Sequence, residues 1–171
     1  MPLLIITFLS VVIIDQISKY IVQQSMALYT SIPLLGDFVK LTYIHNPGAA
    51  FGIMPGNRTV FLALSLIACG VMLYYLYIIP RTERWGRLAL MGILGGAVGN
   101  LIDRIRFGEV TDFVDVGFET YRWPVFNVAD MAVTIGVAIL FIRLSSSRKI
   151  TDQDNPSENQ SELIHREDRP A

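Results

Sequence analysis

Between Gly95 and Asp130 the chain reads GGAVGNLIDRIRFGEVTDFVDVGFETYRWPVFNVAD, placing Asp103, Asp112, Asp115 and Asp130 among Asn100, Arg104 and Asn127. Two carboxylates held a few ångströms apart resist joint ionisation, so such a pair shares a proton and titrates as a unit. It then supplies acid and base together: one carboxylate takes a proton from water while the other protonates a carbonyl oxygen or a leaving amine. The surrounding chain is oily, and an acid at or below a membrane surface is costly enough to mark a functional site by default. A second polar group lies upstream, where Asp15 precedes Lys19 by four positions and so shares a helix face with it as an ion pair.

Register and depth separate the four acids. The segment GEVTDFVDV alternates as a strand does, with Val110, Asp112, Val114 and Val116 on one face and Glu109, Thr111, Phe113 and Asp115 on the other. Asp112 is thereby an acid on the apolar side, and Asp115 sits on the more polar side. Asn127, Asp130 and Thr134 share one stripe of the helix opened by Pro124, and Asp130 lies roughly 7.5 Å along its axis from Val125. That depth is shallow, at the same membrane face as Asp112. The competing readings are a solvated strand-end acid for Asp112 and a buried acid bonded to Asn127 for Asp130. Physical reasoning alone stops at a membrane protein with an acidic site near one face.

The elements that must position these residues are helices in lipid. Of 171 residues, 52% are hydrophobic and 17% charged, well short of the ~25% charge usual in soluble domains. The net charge of -1 and the lack of a basic run with interleaved aromatics exclude nucleic acid as a partner. Cys69 lies within an apolar run, and His45 and His165 are far apart, so no metal site and no cofactor are expected. Apolar stretches predict an α-helical integral membrane protein with four transmembrane helices, at about 3–22, 59–79, 88–107 and 125–144. A cleaved signal peptide is disfavoured because no basic segment precedes the first run and Asp15, Gln16 and Lys19 interrupt it.

Residues 24–57 are mixed, with the alternating segment DFVKLTYIHN suiting a short strand before the turn Asn46-Pro47-Gly48-Ala49-Ala50-Phe51-Gly52. Gly92, Gly95, Gly96 and Gly99 form two overlapping Gly-x-x-x-Gly pairs on the third span, a spacing that lets helix backbones approach. Their stripe continues into Asn100 and Asp103. Residues 1–149 read as one membrane-embedded domain and 150–171 as a disordered polar tail. Four spans put both termini on one side. Arg81, Arg84, Arg87, Arg143, Arg148 and Lys149 lie near the spans there, against Lys40, Arg58, Arg104, Arg106 and Arg122 opposite. The balance leans towards cytoplasmic termini, and more so if Arg104 and Arg106 pair with local acids.

The chain resembles bacterial lipoprotein signal peptidase, or signal peptidase II, over essentially residues 8–143. The resemblance rests on Asp15-Gln16-Ile17-Ser18-Lys19, Asn46-Pro47-Gly48-Ala49-Ala50-Phe51, Gly95 to Arg104, Val110-Thr111-Asp112-Phe113 and Phe126-Asn127-Val128-Ala129-Asp130, in that order. It implies a monomeric aspartic endopeptidase of the bacterial inner membrane, with four spans, cytoplasmic termini and its site at the periplasmic face. It also implies diacylglyceryl-modified prolipoproteins as substrates, cut before the lipidated cysteine, and membrane lipid as a partner. By motif, Asp112 and Asp130 are the catalytic dyad. Asn46, Asn100, Asn127, Asp103 and Arg104 surround it, with Asp15 and Lys19 as the polar pair of the first span. A small extracytoplasmic β-sheet and an interfacial helix between the first two spans are implied as well.

Two other classes use intramembrane acids. A transporter or proton relay would place them at the midplane between internal repeats, and neither pattern is present in this sequence. A metal-dependent phosphotransferase would use them as Mg²⁺ ligands.

Overall fold

The computed structural model describes residues 1–48 and 58–153. In chain order the elements are α1 (Pro2–Ser25), β1 (Ser31–Leu35), β2 (Val39–Asn46), α2 (Arg58–Ile78), α3 (Arg84–Phe107), β3 (Val110–Phe118), β4 (Tyr121–Arg122) and α4 (Val128–Gln153). Helices α1, α2 and α3 are long and apolar enough to cross a membrane. Their outer faces expose Ile13, Ile14, Ile17, Leu66 and Ile67, while Asp15, Lys19 and Asp103 are buried. This is the pattern that lipid imposes, because outward hydrocarbon costs nothing there and polar groups must be satisfied from within.

Helix α3 is the centre, packed against α1, α2 and α4. Its glycines explain how. A Cβ at Gly95 would stand 3.0 Å from the Val11 Cβ on α1, one at Gly96 would collide with the Ala129 carbonyl oxygen on α4, and one at Gly99 would fall 2.5 Å from the Asp15 carboxylate. Gly92 faces open space, so close packing uses three of the four expected glycines. Gly136 on α4 adds a contact not anticipated from sequence, with its Cβ position 2.9 Å from the Ala89 carbonyl oxygen.

The strands form one antiparallel sheet in the order β1-β2-β3-β4. Strand β2 matches the expected alternating segment, whereas β1 was not foreseen; Pro33 within it is tolerated because β1 is an edge strand. Between β2 and β3 the register slips between Leu41 and Ile44, and Asn46 pairs with Val110. Val22, Tyr43 and Phe113 form a small core with Met26, Leu41, Val114 and Val128, fastening the sheet to the ends of α1 and α4.

Three expected boundaries shift. Helix α4 begins at Val128 instead of 125, because Phe126 still belongs to the sheet: its N–H donates to Val114 O at 3.0 Å and its carbonyl accepts from Val114 N at 2.7 Å. Helix α3 begins at Arg84, four residues before the expected 88. Helix α4 continues to Gln153, past the tail boundary expected at 150, since each added residue of a formed helix gains a backbone bond. Residues 154–171 and the turn from Ala49 onward lie outside the described residues; of the stretch between the first two spans, where an interfacial helix is implied, the described residues 26–48 hold β1, β2 and turns and no helix.

Candidate active site

The start of α4 is built by its own residues. Asn127 is the cap: its Oδ1 accepts the N–H of Asp130 at 3.0 Å, while an oxygen of Asp130 accepts the N–H of Asn127 at 3.1 Å. This reciprocal capping box satisfies two N–H groups that a helix start otherwise leaves open. It also fixes the Asp130 carboxylate in the first turn of α4. The second acid arrives from β3, where Asp112 is 1% exposed. Its oxygens accept from Asn46 Nδ2 at 2.8 Å and from Asn127 Nδ2 at 2.6 Å. Asn127 therefore touches both acids.

Asn100 on α3 completes this layer, donating from Nδ2 to Asp130 Oδ1 at 2.8 Å. Its Oδ1 accepts from Asn127 Nδ2 at 3.1 Å and from Lys19 Nζ at 2.9 Å. An ammonium can only donate, so Lys19 forces the Asn100 oxygen towards itself and the Asn100 amide towards Asp130. The two acids thus receive bonds from neutral amides. Among the described residues no cation lies within 4 Å of either carboxylate.

Beneath that layer is a closed ionic cluster. Lys19, 2% exposed, meets Asp15 at 2.8 Å and Asp103 at 2.9 Å besides Asn100, which uses all three of its N–H donors. Asp15 caps a further α4 N–H, at Ala129 (2.9 Å), and Asp103 accepts from the Thr111 N–H at 3.1 Å. One cluster therefore joins α1, α3, β3 and α4. Gln16, not among the expected site residues, donates to Asp103 Oδ1 at 3.0 Å and to the Gly99 carbonyl at 3.2 Å. Its one signal in the sequence is a place in the polar run Asp15-Gln16-Lys19. Among the described residues every buried side-chain nitrogen and oxygen has a partner.

One expectation changes. Asp115 was read on the polar side, yet it is 6% exposed, holding Arg122 Nε at 2.6 Å and accepting from Thr42 Oγ1 at 2.7 Å. Its partners come from β4 and β2, so the outer face of the sheet is covered locally by its own ion pair. Arg104 lies within electrostatic reach of Asp130, Asp112 and Asp103, with long contacts to Ser65 Oγ (3.4 Å) and Asn100 O (3.5 Å) and its guanidinium 5.7 Å from the Phe61 ring centre. Arg106 lies over Phe107. Neither arginine makes an ion pair among the described residues, and the charge count across the membrane keeps its near balance.

Burial pushes the Asp112 carboxyl up to about 6; the charge of Asp130 adds to the rise, while hydrogen bonds from Asn46 and Asn127 oppose it. A carboxylate that titrates near neutrality beside a second acid can exchange protons at working pH.

Residues 7–146 match the family described as Signal peptidase (SPase) II. The chain is 45% identical over 140 residues to the lipoprotein signal peptidase of Moorella thermoacetica, covering 82% of this chain and 90% of that protein. It is 43% identical over 149 residues to that of Halothermothrix orenii, covering 86% of this chain and 98% of that protein. A bacterial membrane enzyme solved by the in meso method at 2.3 Å superposes with a TM-score of 0.78 at 34% identity, across 91% of this chain and 92% of that one. The match runs through every element that carries the buried acids, and the chain belongs to the signal peptidase II family of membrane proteases.

Proposed function

We propose that this protein is an aspartic endopeptidase that removes signal peptides from diacylglyceryl-modified prolipoproteins, cutting before the lipidated cysteine, with Asp112 and Asp130 as its dyad. The observation that carries the reading is the Asn127 amide, which bonds the Asp112 carboxylate and caps the helix turn that holds Asp130. Asp112, the more buried acid, carries the shared proton and delivers it to the scissile carbonyl oxygen. Asp130, half-buried, takes a proton from the attacking water. The resulting tetrahedral carbon collapses as the C–N bond breaks: the proton on Asp130 passes to the leaving amine, and one hydroxyl of the carbon returns its proton to Asp112 as the new carbonyl forms, which restores the starting dyad. Asn46, Asn100 and Asn127 orient the carboxylates, and the Asp15–Lys19–Asp103 cluster orients Asn100. Arg104 serves the packing of α2 on α3 through Ser65 and Phe61.

Helix α4 is proposed as the fourth span, supported by its packing on α3 and its exposed Ile135, Val137, Phe141 and Ile142. In this reading both termini lie in the cytoplasm, the site lies at the periplasmic face of a bacterial inner membrane, and the protein acts as a monomer. Substrate lipid then stays in the bilayer beside the bundle while its peptide bond meets the acids at the surface. The test is cleavage of a synthetic prolipoprotein by the purified protein, with and without the diacylglyceryl group and a chelator. Chelator-insensitive cleavage restricted to the lipidated form is expected. Activity that depends on added divalent metal would overturn the aspartic reading.

A further inference from the structure

At the end of the bundle away from these acids, α1, the α2–α3 turn and α3 enclose a cavity of about 470 Å³ whose lining includes Leu3, Leu4, Leu88, Arg81, Arg84 and Arg87. We propose that this cavity is a binding site for the headgroup of an anionic phospholipid. Depth is the first argument. Arg84 and Asn100 share α3 and lie about 24 Å apart along its axis, close to the ~30 Å thickness of a bilayer core. With the acids near one surface, the arginines reach the headgroup zone of the opposite leaflet. Exposed Trp85 and Tyr77 lie at the same end, as aromatic side chains do where hydrocarbon meets water.

Charge is the second argument. The lining holds three arginines and no carboxylate. Arg87 is committed to the fold: its Nη1 donates to the carbonyls of Leu76 (3.1 Å) and Ile79 (3.0 Å), holding the end of α2. Arg81 and Arg84 are exposed, and among the described residues neither makes an ion pair. A guanidinium fork matches phosphate oxygens geometrically. The leucine walls receive the first carbons of the acyl chains. A zwitterionic lipid brings an ammonium group for which this lining has no anionic partner. Across α3, a second groove at the same end carries the balanced pair Glu83–Arg143 at 3.0 Å, which serves as an internal control.

The experiment uses the full chain with Trp123→Phe, so that Trp85 is the single indole, in nanodiscs of phosphatidylcholine containing brominated phosphatidylglycerol or brominated phosphatidylcholine. Nanodiscs have the same lipid in both leaflets, so insertion direction does not enter. Stronger quenching of Trp85 by the brominated phosphatidylglycerol is expected. Arg81→Gln and Arg84→Gln each reduce that selectivity, by about fivefold per arginine at low salt, whereas Arg143→Gln leaves it in place. Equal quenching by the two lipids would overturn the site, as would equal losses in Arg143→Gln, which would mean bulk charge alone. Selectivity abolished by inorganic phosphate would replace the lipid with a small anion. This inference rests on the proposed placement of the acids near one membrane surface but not on the cleavage reaction, so loss of lipid selectivity and loss of peptidase activity are read separately.

Discussion

Two groups of acids lie within one end of this bundle, and different chemistry stabilises them. Asp15 and Asp103 face an ammonium, with Lys19 within 2.9 Å of both. Asp112 and Asp130 face amides, from Asn46, Asn100 and Asn127. A full counter-charge ties a carboxylate into a fixed ion pair. Neutral donors orient a carboxylate and leave its proton affinity high enough to be used. The comparison separates acids held by a cation from acids held by neutral amides, the pair proposed as the dyad being the latter, and Asn100 is where the two groups meet.

Replacing either amide-bound acid is the strongest way to test that contrast. Asp112→Asn and Asp130→Asn keep size and polarity but remove the proton exchange, which is expected to lower the cleavage rate by at least ~10³-fold while thermal stability in detergent stays near wild type. Full activity in either variant would remove it from the dyad. The ionic group should fail in the opposite manner. Lys19→Met leaves two buried carboxylates without their cation, a loss expected to cost about 3–5 kcal/mol of stability and to be read as a fall in the unfolding midpoint. Lys19→Arg keeps the charge and should recover part of it.

A finer test asks whether the amides tune the acids. The folded Asp112 binds its proton up to about 6, against 3.8 ordinarily. Between those values the folded state holds more protons than the unfolded one, so this group favours folding at low pH and that contribution is lost as pH rises through the window. Because the Asn46 bond opposes the upward shift, Asn46→Ala should move the alkaline limb of the pH–kcat/KM profile, where Asp112 loses its proton, to higher pH. Loss of the Asp130 charge should move the Asp112 titration down, measurable by carboxyl NMR in Asp130→Asn. No movement in either would make the amides packing groups only. The smallest effect belongs to Asp115→Asn, which breaks the Arg122 pair on the sheet's other face. Cleavage should continue at the wild-type rate, with a stability loss of about 1–2 kcal/mol.

Much of this arrangement was legible before any coordinates. Alternation put Asp112 on a face apart from Asp115, helical spacing put Asn100 and Asp103 beyond the glycine stripe, and Asn127 and Asp130 fell on one helical stripe. What could not be read were partners brought together by the fold. Asp115 looked solvent-facing because Arg122 returns to it only through the β3–β4 turn. Gln16 looked like an interruption in an apolar run, since Asp103 and the Gly99 carbonyl reach it only when α3 packs on α1. Phe126 looked helical because its sheet bonds to Val114 join segments that local periodicity treats separately. In each case a long-range contact overrode a local preference.

Position 127 shows how such coupling restricts what can replace a residue. As a helix start it would accept serine, threonine, aspartate or asparagine almost equally. As the donor to Asp112 Oδ1 it needs an amide on a short stem, which asparagine alone among those four provides. A lineage could therefore drift through several residues there and keep a folded protein in the membrane. It would lose the donor to Asp112 at the first step.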